Sequence, residues 1–300
     1  MATPIIIINM HPSLQRLAQK AVLRYRIASW CVEIVRSRAV SSGFWQGLRL
    51  FDNVKPENAS LDRRPPELPS GRLRAYFDSH REGNGIDKWN HYFGMYERHL
   101  AKFVNREVNI CEIGVFSGGS LEMWRHYFGD DCKVFGVDIE PVCKTYENAH
   151  VKILIGDQAD RRFWKSFREE VPALDIVIDD GGHTVEQQIV TLEETLPYLR
   201  PCGVFICEDI HGMMNEFAHY VSGLALSLNA DRNFQGNEDQ ERSITVTTNS
   251  LQSAIRSVSI YPFAVVIERN DAPISELTSA KRGTSWQPFF QAPSDRPGGR

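Results

Sequence analysis

The sequence predicts an α/β fold: a doubly wound, mostly parallel sheet with a terminal antiparallel hairpin, preceded by an N-terminal helical arm. Three observations carry that expectation. Short apolar runs rich in β-branched residues alternate with helical stretches. Those runs are apolar on both faces, as parallel strands are when helices cover each side. The last two stand next to each other with only a proline between them.

Strand candidates fall at 108–113, 133–137, 151–155, 176–178 and 204–207. Helical stretches between and after them are 120–128, 159–170, 185–199 with its Leu192, Leu196, Leu199 stripe, and 213–228. Residues 255–261, Pro262 and 263–269 read as two strands with a tight connection. The alternation describes an open, Rossmann-like sheet over residues 76–270. Residues 1–75 combine a basic helix with a connector whose prolines, from Pro56 to Pro69, break regular structure. Residues 271–300 are rich in Pro, Ser, Gly and charge and read as a poorly ordered tail, with Trp286, Phe289 and Phe290 able to dock.

Composition narrows the function classes. A net charge of -4 argues against a nucleic-acid binder, which usually carries a basic face. No stretch reaches the roughly 18 consecutive apolar residues of a membrane span. The 6 cysteines form no C-x-x-C pair, and Cys111 and Cys207 sit in apolar runs, so a reduced, cytoplasmic protein is expected. Asn58-Ala59-Ser60 matches a glycosylation sequon, a pattern short enough to arise by chance. In 12–38, Arg16, Lys20, Arg24, Arg26, Arg36 and Arg38 face a single acid, Glu33. This helix is expected to pack on its own domain or on a partner subunit, which leaves a homo-oligomer open. Weak peripheral membrane contact and a targeting role are the alternatives.

In open α/β sheets ligands bind beyond the carboxyl ends of the strands. The first strand runs into Glu112-Ile113-Gly114-Val115-Phe116-Ser117-Gly118-Gly119-Ser120 and then a helix. The glycines fall at 114, 118 and 119, which is not the dinucleotide spacing G-x-G-x-x-G. Glu112 suits a ligand with a cationic amino-acid end better than a pyrophosphate. Asp138, at the second strand end, can accept from both ribose hydroxyls, and Asp157-Gln158, at the third, is placed for an adenine edge. Together with Ser117 these positions favour S-adenosylmethionine (SAM) over NAD.

A second constellation lies at the fourth and fifth strand ends, Asp179-Asp180-Gly181-Gly182-His183 and Cys207-Glu208-Asp209-Ile210-His211. Asp180, Glu208 and Asp209 supply hard oxygens suited to Mg²⁺. His183 is near enough to act as a base rather than a ligand. Asp179 alone reads as a turn former and is counted with the cofactor residues. His211 reads equally as a site residue or an exposed histidine. Four ionisable groups at adjacent strand ends repel one another without a counter-ion, which argues against simple helix caps.

These motifs, with the upstream Gly85-Ile-Asp-Lys-Trp-Asn-His-Tyr-Phe-Gly-Met-Tyr-Glu-Arg-His-Leu, resemble those of the macrolide sugar O-methyltransferases of the macrocin and mycinamicin type. The resemblance extends over roughly residues 83–270 and implies the class I methyltransferase layout. It further implies Mg²⁺ at Asp180, Glu208 and Asp209, His183 as base, Asp138 on the SAM ribose, and Tyr92 and Tyr96 near cofactor or substrate. Two departures stand out: Asp180-Gly-Gly-His replaces the common Asp-Gly-Ser-His, and the N-terminal region is short. The expected activity is Mg²⁺-dependent methylation of a hydroxyl on a sugar or glycosylated small molecule. The rivals are a metal-independent phenol or amine methyltransferase and a non-catalytic SAM-fold subunit.

Overall fold

A computed structural model describes residues 46–47, 71–212, 214–230, 245–280 and 282. The chain divides between Glu67 and Leu68, and the unit after that division carries the sheet. The expected basic helix at 12–38 and the aromatics of the tail lie outside the described residues.

The unit opens with helices α1 (Arg72–Ser79) and α2 (Tyr92–Leu100). Helix α2 buries Tyr92, Phe93, Met95, Tyr96, His99 and Leu100, the spacing of one apolar helical face. There follow β1 (Val108–Ile113), α3 (Gly119–Phe128), β2 (Cys132–Asp138), β3 (Val151–Ile155), α4 (Arg161–Glu170), β4 (Leu174–Asp179), α5 (Val185–Thr195) and β5 (Leu199–Cys207). Then come α6 (Glu216–Ser227), β6 (Thr245–Thr247), α7 (Ser250–Ala254), β7 (Ile255–Tyr261), β8 (Ala264–Arg269) and β9 (Glu276–Thr278).

Seven strands form one sheet in the order β3-β2-β1-β4-β5-β8-β7. The first five are parallel, and β8 and β7 close the edge antiparallel. Successive side chains of a strand point to opposite faces, so each strand feeds two cores. Ile110, Val134, Ile176, Val204 and Val266 meet Tyr92, Phe93, Trp124 and Phe128 of α2 and α3. Cys111, Phe135, Val177, Phe205 and Val265 meet Trp164, Phe167, Val190 and Phe217 of α4, α5 and α6. Coverage on both faces explains why β1 and β4 are buried along their whole length.

The order reverses between β1 and β4, the switch point at which such sheets bind ligands. Backbone hydrogen bonds continue past the strand ends, from Gly114 N to Val137 O, Asp180 N to Ile113 O and Glu208 N to Asp179 O. That ladder lines up the loops after four strands on one edge.

Three elements differ from the sequence expectation. The 185–199 helix stops at Thr195, where Pro197 cannot continue it, and Leu199 already belongs to β5. Strand β5 starts five residues early because an irregularity in its pairing sets residues 200–203, Pro201 among them, against the single Asp175 of β4. Residues 276–278, expected in a poorly ordered tail, form β9, which pairs antiparallel with β6.

Candidate active site

A cavity of about 680 Å³ opens at the carboxyl edge, lined by loops after β1 to β5 and by the 85–90 segment. Its cofactor half is built around Asp138. One carboxylate oxygen accepts from Val115 N at 2.9 Å and Phe116 N at 3.0 Å, the other from Glu140 N at 2.9 Å. Asp138 therefore fixes the shape of the β1 loop while lining the cavity beside Ser117, Gly114 and Asp157. Gln158 also lines it, buried, donating to Asp179 at 2.9 Å and to Thr191 at 3.0 Å and accepting from Gly182 N at 2.9 Å.

The loop glycines answer to protein contacts as much as to a ligand. Gly114 has φ 89°, and a Cβ there would lie 1.9 Å from the Asp180 carbonyl oxygen. At Gly119 a Cβ would lie 2.3 Å from the Asn84 carbonyl oxygen. Neither Gly118 nor Gly119 lines the cavity; they start α3.

Glu112, Asp179 and Tyr92, expected at the cofactor, also lie behind the cavity wall. Asp179 is buried, its carboxyl pushed up to about 7 by desolvation, and it braces Gln158. Tyr92 belongs to the other half of the site: its hydroxyl lies 3.0 Å from Asp209 Oδ1 and 3.1 Å from the Phe263 carbonyl. Glu112 is fully buried, accepts from Ser120 at 2.7 Å, and lies 3.5 Å from Lys88, which lines the cavity.

Lys88 is the residue the sequence reading left unassigned. Its ammonium is 2.5 Å from Asp180, 3.1 Å from Glu208 and 3.5 Å from Glu112. Burial alone would lower its pKa, but Glu208, Tyr96, Asp180 and Glu112 outweigh that and hold it well above the usual lysine range. Burial pushes Glu208 up while the ammonium beside it pulls down. With the ammonium charged and three acids around it, the Lys88–Glu208 contact is an ion pair, and Tyr96 completes it by donating to Glu208 at 2.5 Å. Tyr92 and Tyr96, one turn apart on α2, thus reach Asp209 and Glu208 from the same helix face.

The remaining acids converge on His183. Its Nε2 lies 3.7 Å from Asp209 Oδ2 and 3.9 Å from Asp180 Oδ1. One donor atom from each of Asp180, His183 and Asp209 fits within a 4.8 Å span. His183 and Asp209 both have left-handed backbones, φ 57° and 55°. A non-glycine residue there costs on the order of 1–2 kcal/mol, a strain typical of functional turns. Trp89 Nε1 donates to Asp209 Oδ1 at 2.9 Å, leaving Oδ2 toward His183. His211 Nε2 is 3.8 Å from the same Oδ1. Two carboxylates with an imidazole beside them are a fitting donor set for a hard divalent ion. Lys88 holds Glu208 and, through Oδ2, Asp180 as well; Asp180 faces His183 with Oδ1, while Glu208 stays outside that group.

Sheet order, switch point and strand-end cavity are those of a class I methyltransferase. No family model matches the chain. The 8-demethyl-8-alpha-L-rhamnosyl tetracenomycin-C 2'-O-methyltransferase of Streptomyces olivaceus is 37% identical over 137 residues, covering 42% of this chain and 35% of that protein. Demethylmacrocin O-methyltransferase of Streptomyces fradiae is 34% identical over 133 residues, 41% of this chain and 33% of its own. The chain thus spans about a third of the length of these relatives. MycE methyltransferase of the mycinamycin pathway, solved in complex with Mg and SAH (S-adenosylhomocysteine), shares the fold: TM-score 0.54 at 21% identity, over 69% of this chain and 55% of that one. In sequence the chain is thus similar to O-methyltransferases named for tetracenomycin and macrocin substrates, and in fold to a methyltransferase solved with SAH.

Proposed function

We propose that this chain transfers the methyl group of SAM to a hydroxyl of a sugar-bearing small molecule. In this reading Asp180 and Asp209 hold Mg²⁺, and His183 is the base. The observation that carries it is the convergence of Asp180, His183 and Asp209 from adjacent strand ends beside a cavity whose other half is the β1–β3 edge. Lys88 pairs with both Asp180 and Glu208, so the ion competes with that ammonium at Asp180 and, where Glu208 joins the ligands, there too. The relative named as a rhamnosyl tetracenomycin 2'-O-methyltransferase supports the acceptor class.

The chemistry brought by the bound groups is an electrophilic methyl on a sulfonium and polarisation of the acceptor hydroxyl by a divalent ion. The chain's own work is positioning and proton removal. Asp138 and the β1 loop orient the nucleoside end, with Asp157 lining the wall beside them and Gln158 bracing it. His183 Nε2 takes the hydroxyl proton, and Asp180 and Asp209 stabilise the imidazolium that results. Lys88 balances the buried acids behind them.

Calorimetry with SAH and NAD tests the cofactor, and labelled SAM with a glycoside panel, before and after chelation, tests the metal. Micromolar SAH binding without NAD binding, and EDTA-sensitive labelling restored by Mg²⁺, are expected. Full labelling after exhaustive chelation sinks the metal assignment.

A further inference from the structure

We propose that Trp89, His211 and Phe263 form an aromatic platform on which a pyranose ring of the acceptor stacks, so that the sugar ring is what the site selects. This rests on the methyltransferase reading above and specifies its acceptor subsite. The three rings form one cluster: Trp89 to Phe263 centroids 5.5 Å, His211 to Phe263 4.7 Å, Trp89 to His211 6.4 Å. Trp89 is 47% exposed and Phe263 39%, and Trp89 and His211 line the same cavity as His183 and Asp209.

The platform is anchored to the reacting groups. Trp89 donates its indole N–H to Asp209 Oδ1, the carboxylate that faces His183 through its other oxygen. The Phe263 carbonyl accepts from Ile210 N at 2.9 Å and stands 3.1 Å from the Tyr92 hydroxyl, which pins the β7–β8 turn to the residue after Asp209. Phe263 also holds a left-handed backbone, φ 62°, in a turn where a residue without a side chain would sit unstrained. A large exposed ring is thus kept where glycine is the easy choice, and it is kept facing its two neighbours.

A pyranose fits this arrangement chemically. Its faces are C–H surfaces that gain by leaving water against an aromatic ring, and its hydroxyls radiate from the rim. A sugar lying on Trp89 keeps its rim hydroxyls free, so one of them can enter the Asp180, His183, Asp209 cluster without unpairing the others. A phenol ring can stack on the same rings, but its single in-plane hydroxyl lacks the rim of hydroxyls by which a pyranose reaches the acids while lying flat on Trp89.

Saturation-transfer NMR and calorimetry with methyl pyranosides and sugar-free phenols, in the presence of SAH and Mn²⁺, test this. Trp89→Phe keeps a ring and loses the N–H; Trp89→Leu loses both. The expected result is pyranoside binding through one C–H face, within threefold of wild type in Trp89→Phe and weakened at least tenfold in Trp89→Leu, with SAH affinity constant in all three. Equal pyranoside affinity in Trp89→Leu, or a wild-type chain that binds SAH and phenols but no pyranoside, overturns the platform alone. Failure of wild type to bind SAH overturns the methyltransferase reading and the platform with it.

Discussion

Replacing Lys88 with Met removes the one ammonium among Asp180, Glu208 and Glu112 while keeping the volume of its stem. Lys88 and Glu208 have side chains 2% and 1% exposed, and Glu112 is fully buried, so solvent offers no substitute charge. Breaking a buried pair by removing one partner costs about 3–5 kcal/mol. For a unit of this size that corresponds to a drop in Tm of roughly 10 °C. The loss depends on pH. Without the ammonium, burial raises the folded-state pKa of Glu208 and Glu112 far above the unfolded value of about 4.5. The folded variant then holds protons that the unfolded chain has released, so its stability falls as pH rises from about 4.5. The deficit relative to wild type should be smallest near pH 5 and largest above pH 8. Urea denaturation followed by circular dichroism at both pH values reads it, with Lys88→Met/Glu208→Gln as the partner variant, which should recover more than half of the loss. A single variant within 1 kcal/mol of wild type at pH 8, or a double variant no more stable than the single, refutes the reasoning.

Other outcomes follow from the same geometry. His183→Ala should lower turnover by about 10²–10⁴-fold with SAH affinity preserved, and a loss under tenfold across the pH range moves the base to another group, His211 first. Asp138→Ala removes the acceptor of three backbone N–H groups and the proposed acceptor of the ribose; charge-assisted bonds contribute about 1.5–3 kcal/mol, so SAH affinity should fall at least tenfold, and unchanged calorimetry contradicts it. Asp179, pushed up to about 7, keeps a proton in the folded chain that the unfolded chain loses near pH 4, so wild-type stability declines as pH rises through that window, by up to about 4 kcal/mol. Asp179→Asn should flatten the decline between pH 5 and 8; parallel slopes in the two proteins argue against a buried acid of that kind.

The strands were legible because each is a continuous apolar run, and that pattern arises when both faces are covered. Val108–Ile113 and Val151–Ile155 were placed to the residue. The start of β5 was not, since Arg200 and Pro201 look like a turn until the irregular pairing with β4 is seen. Strands β6 and β9 are three residues each and carry no periodic signal. Within the site, residues at strand ends were readable because the chain must turn there. Lys88 was not: it lies 92 and 120 residues from Asp180 and Glu208, and a lone lysine in a loop has no pattern. Its one signal was position, a lysine four and eight residues before two tyrosines on a buried helix face. The same distance effect hides that Tyr92 reaches Asp209 and that Glu112 pairs with Lys88. Alternation along a strand tells which face a side chain takes, but not which neighbour stands between it and the cavity.

The proposed divalent-ion site at Asp180 and Asp209, with His183 beside it, is read by Mn²⁺ titration followed by electron paramagnetic resonance with SAH present. One tightly bound Mn²⁺ per chain is expected in wild type, lost in Asp180→Asn and Asp209→Asn. Binding should be retained in His183→Ala if the imidazole serves as base rather than ligand. A wild-type chain that binds SAH but no Mn²⁺, or an Asp209→Asn variant that binds the ion as tightly as wild type, contradicts it.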